Sequence, residues 1–189
     1  MALAAAVAFA APPAGADFVM RQSQTLTGTG KPDPKLRLPS DPGDLPSIDG
    51  GYGDGLNEAV NLGSSSAPNW ARRYTFPHSG SGGFIVYSPV LDVSPFEAIV
   101  FQVKGNAGGE TFDVRVLDGT PKEKRYDINA ILSTSGVTTS FKRAIIRLSD
   151  LQAAGLDLEK QKEITLESTA SGAITVTVDE LAFEKPIPS

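Results

Sequence analysis

The sequence predicts an all-β fold, an antiparallel two-sheet sandwich, and three observations carry that expectation. Short runs between Glu97 and Phe183 alternate apolar and polar residues, which sends successive side chains to opposite sides of a sheet. Turn residues such as Gly105-Asn-Ala-Gly-Gly109 separate nearly every pair of runs, the spacing of an antiparallel sandwich. With 19 Gly and 14 Pro in 189 residues the chain is rich in turn formers, and its length suits one well-buried domain.

Residues 1–16 are read as a targeting segment outside the fold. Ala2–Ala11 is an apolar run too short to span a membrane, and Ala14-Gly15-Ala16 fits a small-x-small cleavage rule. The expectation is export to a periplasm or cell exterior. The lack of Lys or Arg before Arg21 keeps a thylakoid lumen, reached through a two-part address, as the alternative. Residues 17–48, broken by Pro32, Pro34, Pro39, Pro42 and Pro46, read as an extended arm or linker. The β-sandwich is expected over 49–186, entered through the glycine-rich turn Asp49–Gly55, which lacks the Lys-Ser/Thr of a phosphate loop.

Strands are expected at about 57–62, 70–76, 83–88, 97–104, 110–118, 123–131, 141–148, 162–169 and 173–184. One face of them supplies the core: Ile99, Phe101 and Val103, then Phe112, Val114 and Val116. Ala144, Ile146, Leu148, Ile164, Leu166, Val176 and Val178 continue it. Val100, Gln102, Lys104, Asp113, Arg115, Thr165, Glu167, Thr175, Thr177 and Asp179 face away. Ser149–Gly155 reads as one helical turn with Ser149 as N-cap and Gly155 as stop.

Composition excludes several functions. A net charge of −5 and the absence of any basic cluster disfavour nucleic acid and anionic lipid. With no cysteine there is neither disulfide nor thiolate metal site, and a lone histidine, His78, leaves no multi-histidine centre. Paired carboxylates with the separation glycoside hydrolysis needs are not legible, so no catalytic residue is assigned and the chain is read as a non-enzyme.

The order of elements resembles the galactose-binding-like β-sandwich family. Phe96-Glu-Ala-Ile-Val-Phe-Gln-Val-Lys-Gly105 is similar to its strand and turn "Y-x-x-L-x-F-W-V-x-G". Phe141–Leu151 stands where the family has "W-x-x-V-x-I-P-L-S-D-F", and Thr175–Phe183 matches the closing "V-x-V-D-D-I-x-F". Gly108-Gly109-Glu110 and Tyr52–Asn57 fall in family order too, so the likeness covers about Tyr52 to Glu184. It implies a jelly-roll sandwich, common in carbohydrate-binding modules attached to glycosidases and also used by assembly factors. Three positions depart from the pattern: Gln102 and Phe141 replace Trp, and Arg147 replaces the proline. Gln102 is expected on the concave sheet, where sugar binders place an aromatic platform.

Sugar recognition needs flat aromatic faces flanked by amides, carboxylates and Arg forks. Trp70, Tyr74, Tyr87 and Tyr126 with Gln102, Arg115 and Glu167 supply those types, while Trp70, Tyr74 and Phe76 serve equally as core. Arg115 can also be the partner of a cross-strand ion pair with Glu167 or Asp113. Asp179, beside Glu180, stands where related modules hold a structural calcium, with Asp54 or Asp49 as further oxygen ligands. The function expected is a non-catalytic module binding glycan on its concave sheet. The alternative is a structural subunit docked through arm and sandwich onto a larger protein complex.

Overall fold

A computed structural model describes residues 35–37, 47–64, 70–132 and 135–184. The expected targeting segment and most of the arm lie outside the described residues, as do the side chains of Trp70 and Tyr87 and the oxygen ligand expected of Asp49. In chain order the elements are β1 (Lys35–Arg37), β2 (Ser47–Tyr52), β3 (Leu56–Asn61), β4 (Trp70–Phe76) and β5 (Gly82–Leu91). β6 (Ala98–Gly105), β7 (Phe112–Asp118), β8 (Glu123–Asp127) and the short helix α1 (Ile128–Leu132) follow. β9 (Lys142–Arg147), α2 (Leu148–Ala153), a 3-10 turn (Leu158–Lys160), β10 (Gln161–Ser168) and β11 (Ile174–Glu184) complete the elements among the described residues.

Two antiparallel sheets result, as the alternation predicts. The first runs β3-β4-β11-β6-β9, with β1 paired to β11, and the second runs β2-β5-β10-β7-β8. The strict burial alternation of β7 shows why: Phe112, Val114 and Val116 point inward while Asp113, Arg115 and Leu117 do not. Every residue expected in the core is buried, from Ile99 and Phe101 through Val176 and Val178. Phe76, Phe101, Phe112 and Phe183 are fully enclosed, and each such side chain contributes about 1.5–3 kcal/mol of transfer free energy.

Several elements differ from expectation. The region read as arm and turn contributes two strands: β1 pairs Lys35–Arg37 with Ala182–Glu184, and β2 pairs with β5 along its whole length. Pro34 and Pro46 immediately precede these strands rather than interrupt them, a position that proline tolerates. The strand expected over 123–131 stops at Asp127, whose Oδ1 accepts the Asn129 N–H at 2.7 Å and so opens α1. α2 begins two residues early, at Leu148. Its N-cap is Arg147 and not Ser149, and no side chain caps it. Its end is as expected: Gly155 at φ +86 lets the Gly155 and Leu156 amides return to the carbonyls of Gln152 and Leu151.

Val100, Thr165, Thr177 and Asp179 are outward by parity yet buried, because β6, β10 and β11 are interior strands shaded from both sides. A bulge between Asp179 and Ala182, with Glu180 at φ +49, shifts the parity of β11 by one residue. Leu181 and Phe183 are thereby turned inward with Val178. Among the described residues no helix is long and apolar enough to cross a membrane.

Candidate functional site

The outer face of the second sheet carries a connected group of charged and hydroxyl side chains. Register places Tyr52, Gly82, Glu167, Asp113 and Asp127 in one row across β2, β5, β10, β7 and β8. The next row holds Phe84, Thr165, Arg115 and Arg125, and the one beyond it Val86, Glu163, Leu117 and Glu123. Alternation explains the selection, since the residues between them (Ile85, Ile164, Leu166, Val114 and Val116) are core.

Glu167 is the hub. Its Oε2 accepts the Tyr52 hydroxyl at 2.7 Å and lies 3.5 Å from Arg115 Nη1, while Oε1 lies 2.8 Å from Arg125 Nη1. Glu123 closes the group, 2.5 Å from Arg115 Nη2 and 3.0 Å from Arg125 Nε. Tyr52 reaches Glu167 by passing over β5, and it can do so because residue 82 is glycine. A Cβ there would stand 2.4 Å from the Tyr52 ring. Arg115 is mostly buried, and its Nε makes no hydrogen bond among the described residues.

Electrostatics follow from this geometry. Burial pushes the Tyr52 phenol up to about 12, reinforced by the neighbouring Glu167 carboxylate, so it is a permanent donor. Burial alone would raise Glu167, but the hydrogen bonds from Tyr52 and Arg125 and the charges of both arginines outweigh it and hold the carboxyl below its usual range. Glu123 is held low by its hydrogen bonds to the same two arginines. Asp113 goes the other way: burial raises it, opposed by Arg125 and reinforced by Asp127 and Glu167. Apolar surface borders the charges, since Phe84, Val86 and Leu117 are only half-buried.

Of the expected ligand-binding residues, Arg115 and Glu167 meet on this face. Gln102 does not join them. β6 belongs to the first sheet, where Gln102 pairs with Asp179 and Arg143 on the outer side of the opposite layer. The chain crosses between layers through residues 106–111, so β6 and β7, consecutive in sequence, do not share a face. Tyr74 is core, 2 % exposed and stacked on Phe76 with ring centroids 6.0 Å apart. Tyr126 also turns inward, opposite Val114, and packs against the core. Both corrections have one cause, strand parity, and in both the aromatic stem goes to the interior. Tyr52, Phe84, Glu123 and Arg125 were missed. The signal for Tyr52 was Gly82-Gly83 opening a strand beside it, which clears space for a ring.

The calcium ligands expected at Asp179 and Asp54 lie apart in character. Asp54 sits in the exposed β2–β3 turn, and Asp179 is buried on β11 with Oδ1 accepting the Glu180 N–H at 2.8 Å. Calcium takes six to eight oxygens. Among the described residues no three His, Cys, Asp or Glu side chains gather, so the described side chains alone do not make a cage.

Comparison with known proteins places the fold. Solved structures similar to the chain include the family 30 carbohydrate-binding module of a cellulosomal cellulase of Clostridium thermocellum. It is 16% identical with a TM-score of 0.62, over 81% of this chain and 99% of that one. A family 11 module of the same organism, in complex with a β-1,3-1,4-mixed-linked tetrasaccharide, is 14% identical with a TM-score of 0.56, over 82% and 98%. An exo-β-agarase shares the fold at 15% identity and a TM-score of 0.58, over 85% of this chain but 24% of that one. No curated protein matches the chain in sequence. The family model described as carbohydrate binding domain 30 matches residues 23–185, nearly the whole chain, and the chain therefore belongs to that family of β-sandwich carbohydrate-binding modules.

Proposed function

We propose that the chain binds glycan along the outer face of the second sheet, read as the concave one, and acts by holding its ligand without chemistry of its own. One observation carries the reading: charge-assisted donors and acceptors centred on Glu167 are fixed beside half-buried Tyr52, Phe84, Val86 and Leu117. Sugars present hydroxyls at their equator and C–H surface on their faces, and this face offers a partner for each. The ion pairs hold the arginine forks still before the ligand arrives, which lowers the ordering cost of binding. Export remains part of the proposal, since an external glycan requires it and the first sixteen residues suit it.

Affinity electrophoresis through gels containing soluble polysaccharides tests the reading. At least one polysaccharide is expected to retard the wild-type chain, and Arg115→Ala or Glu167→Ala to abolish the retardation. If no polysaccharide retards the chain, or both variants migrate as the wild type does, the proposal falls.

A further inference from the structure

The end of the sandwich beside α2 holds a cleft of about 420 Å³, lined by residues outside the strands of either sheet. Its residues come from the β5–β6 connection, from α2 and from the 3-10 turn that precedes β10. We infer that this cleft is a separate binding site for a neutral mono- or disaccharide, independent of the face described above. The choice of sugar as ligand rests on reading the chain as a glycan binder. The cleft itself does not.

The walls are held in place by backbone hydrogen bonds. Val93 N–H donates to the Leu158 carbonyl at 2.8 Å, and Leu148 N–H donates to Glu97 at 2.9 Å. The buried Asp118 carboxylate adds a third tie, accepting the Asp157 N–H at 2.8 Å while its other oxygen gathers the Thr120 and Lys122 amides. A cleft whose rims are stapled this way is formed before any ligand enters, and its volume falls in the range of small-molecule sites.

The lining chemistry selects the ligand. Half-buried Leu158, with the nearly enclosed edges of Phe96 and Leu156 beneath it, gives an apolar floor, and exposed Ser149, Gln152 and Glu159 stand at the rim. A floor that meets C–H surface and a rim that meets hydroxyls match one or two pyranose rings. Charge removes the acidic sugars: Glu97, Asp157 and Glu159 all line the cleft, and Lys160 beside it is already 2.9 Å from Asp157. A uronate would meet carboxylates and no cation among the lining residues, an arrangement that disfavours it.

Titration of the isotope-labelled full chain with cellobiose, xylobiose, galactose and galacturonate, followed by amide NMR, tests the site. At least one neutral sugar is expected to shift the amides of Phe96, Ser149–Gln152 and Leu158–Glu159, and galacturonate none of them. Gln152→Ala and Glu159→Ala, both at exposed positions that leave the core intact, are each expected to weaken that binding roughly tenfold, as loss of one ligand hydrogen bond does. Arg115→Ala should leave it unchanged. Silence of these amides with every neutral sugar, an equal response to galacturonate, or wild-type affinity in both rim variants overturns the inference. Response of the second sheet's outer face alone defeats the cleft and leaves the proposed function standing. Response of the cleft alone supports the inference, and the proposed function is then decided separately by polysaccharide retardation.

Discussion

Gly82 makes a sharp single-residue lever, because its missing side chain is what lets Tyr52 cross β5 to Glu167. In Gly82→Ala the three atoms nearest the new Cβ all belong to the far end of the Tyr52 side chain, so the ring is expected to move in preference to the backbone. Polysaccharide retardation is expected to drop about as far as in Tyr52→Ala, with a thermal midpoint within a few degrees of wild type. Gly172→Ala, where nothing lies within 4 Å of the added atom, serves as the neutral control. Wild-type binding by Gly82→Ala would remove Tyr52 from the site.

The same two residues set a pH profile. Glu167 has a depressed folded-state value, so its contribution is present above the unfolded value near 4 and is lost only as pH falls through the lower folded one. Tyr52, pushed up to about 12, keeps its proton throughout ordinary buffers. Affinity measured by calorimetry is therefore expected to be flat from about pH 5 to 9. A titration inside that window would show that some group other than this pair governs binding.

Elements were legible where one force acted alone. β7 alternates without a break because both its neighbours are strands and one side is core, and its pattern was read correctly from Phe112 to Val116. α1 was not legible as a helix: its five residues are too few to show a period, with Ile128 and Leu132 buried and Ile131 packed half-buried against the core, and the cap at Asp127 looked like one more polar strand position. β2 was hidden by its glycines, which sequence reasoning assigns to turns but which this edge strand needs. A Cβ on Gly51 would fall 2.0 Å from the Gly55 carbonyl oxygen. Asp118 shows the same limit, since as a strand-end carboxylate it gave no sign of what it ties together.

That tie yields a prediction about elements. Asp118 is 1 % exposed, and four hydrogen bonds to its carboxylate join the β7–β8 turn to the segment before β10. Burial would raise its pKa, yet the amides of Asp157, Thr120 and Lys122 and the Thr120 hydroxyl together hold it below the usual value. In Asp118→Asn an amide N–H must confront one of those donors, at a cost of about 1–3 kcal/mol. Urea denaturation at neutral pH should show that loss. The gap between variant and wild type should begin to close as pH falls below about 4, where the unfolded chain's carboxylate takes up its proton, and close fully only below the lower value of the native carboxylate. A gap that persists in acid would mean the damage is steric and not electrostatic.

At the scale of the molecule, the sandwich assigns outward residues to two surfaces facing opposite ways, and this the alternation could not reveal. Period two says which residues point out. It does not say from which sheet, because that depends on long-range pairing: β6 joins β11 and β9, whereas β7 joins β10 and β8. Gln102 and Arg115 thus shared one expectation while standing on opposite layers. The missing aromatic at Gln102 consequently says nothing about the second sheet's face, where Tyr52 and Phe84 supply the rings. The consequence is a division of phenotypes. Gln102→Ala and Lys104→Ala, on the first sheet, are expected to retain full retardation by any polysaccharide the wild type binds. Arg125→Ala, on the second, should lose at least about tenfold in affinity, since it releases Glu167 and Glu123 together. Loss of binding in the first pair with retention in the last would move the glycan site to the other layer.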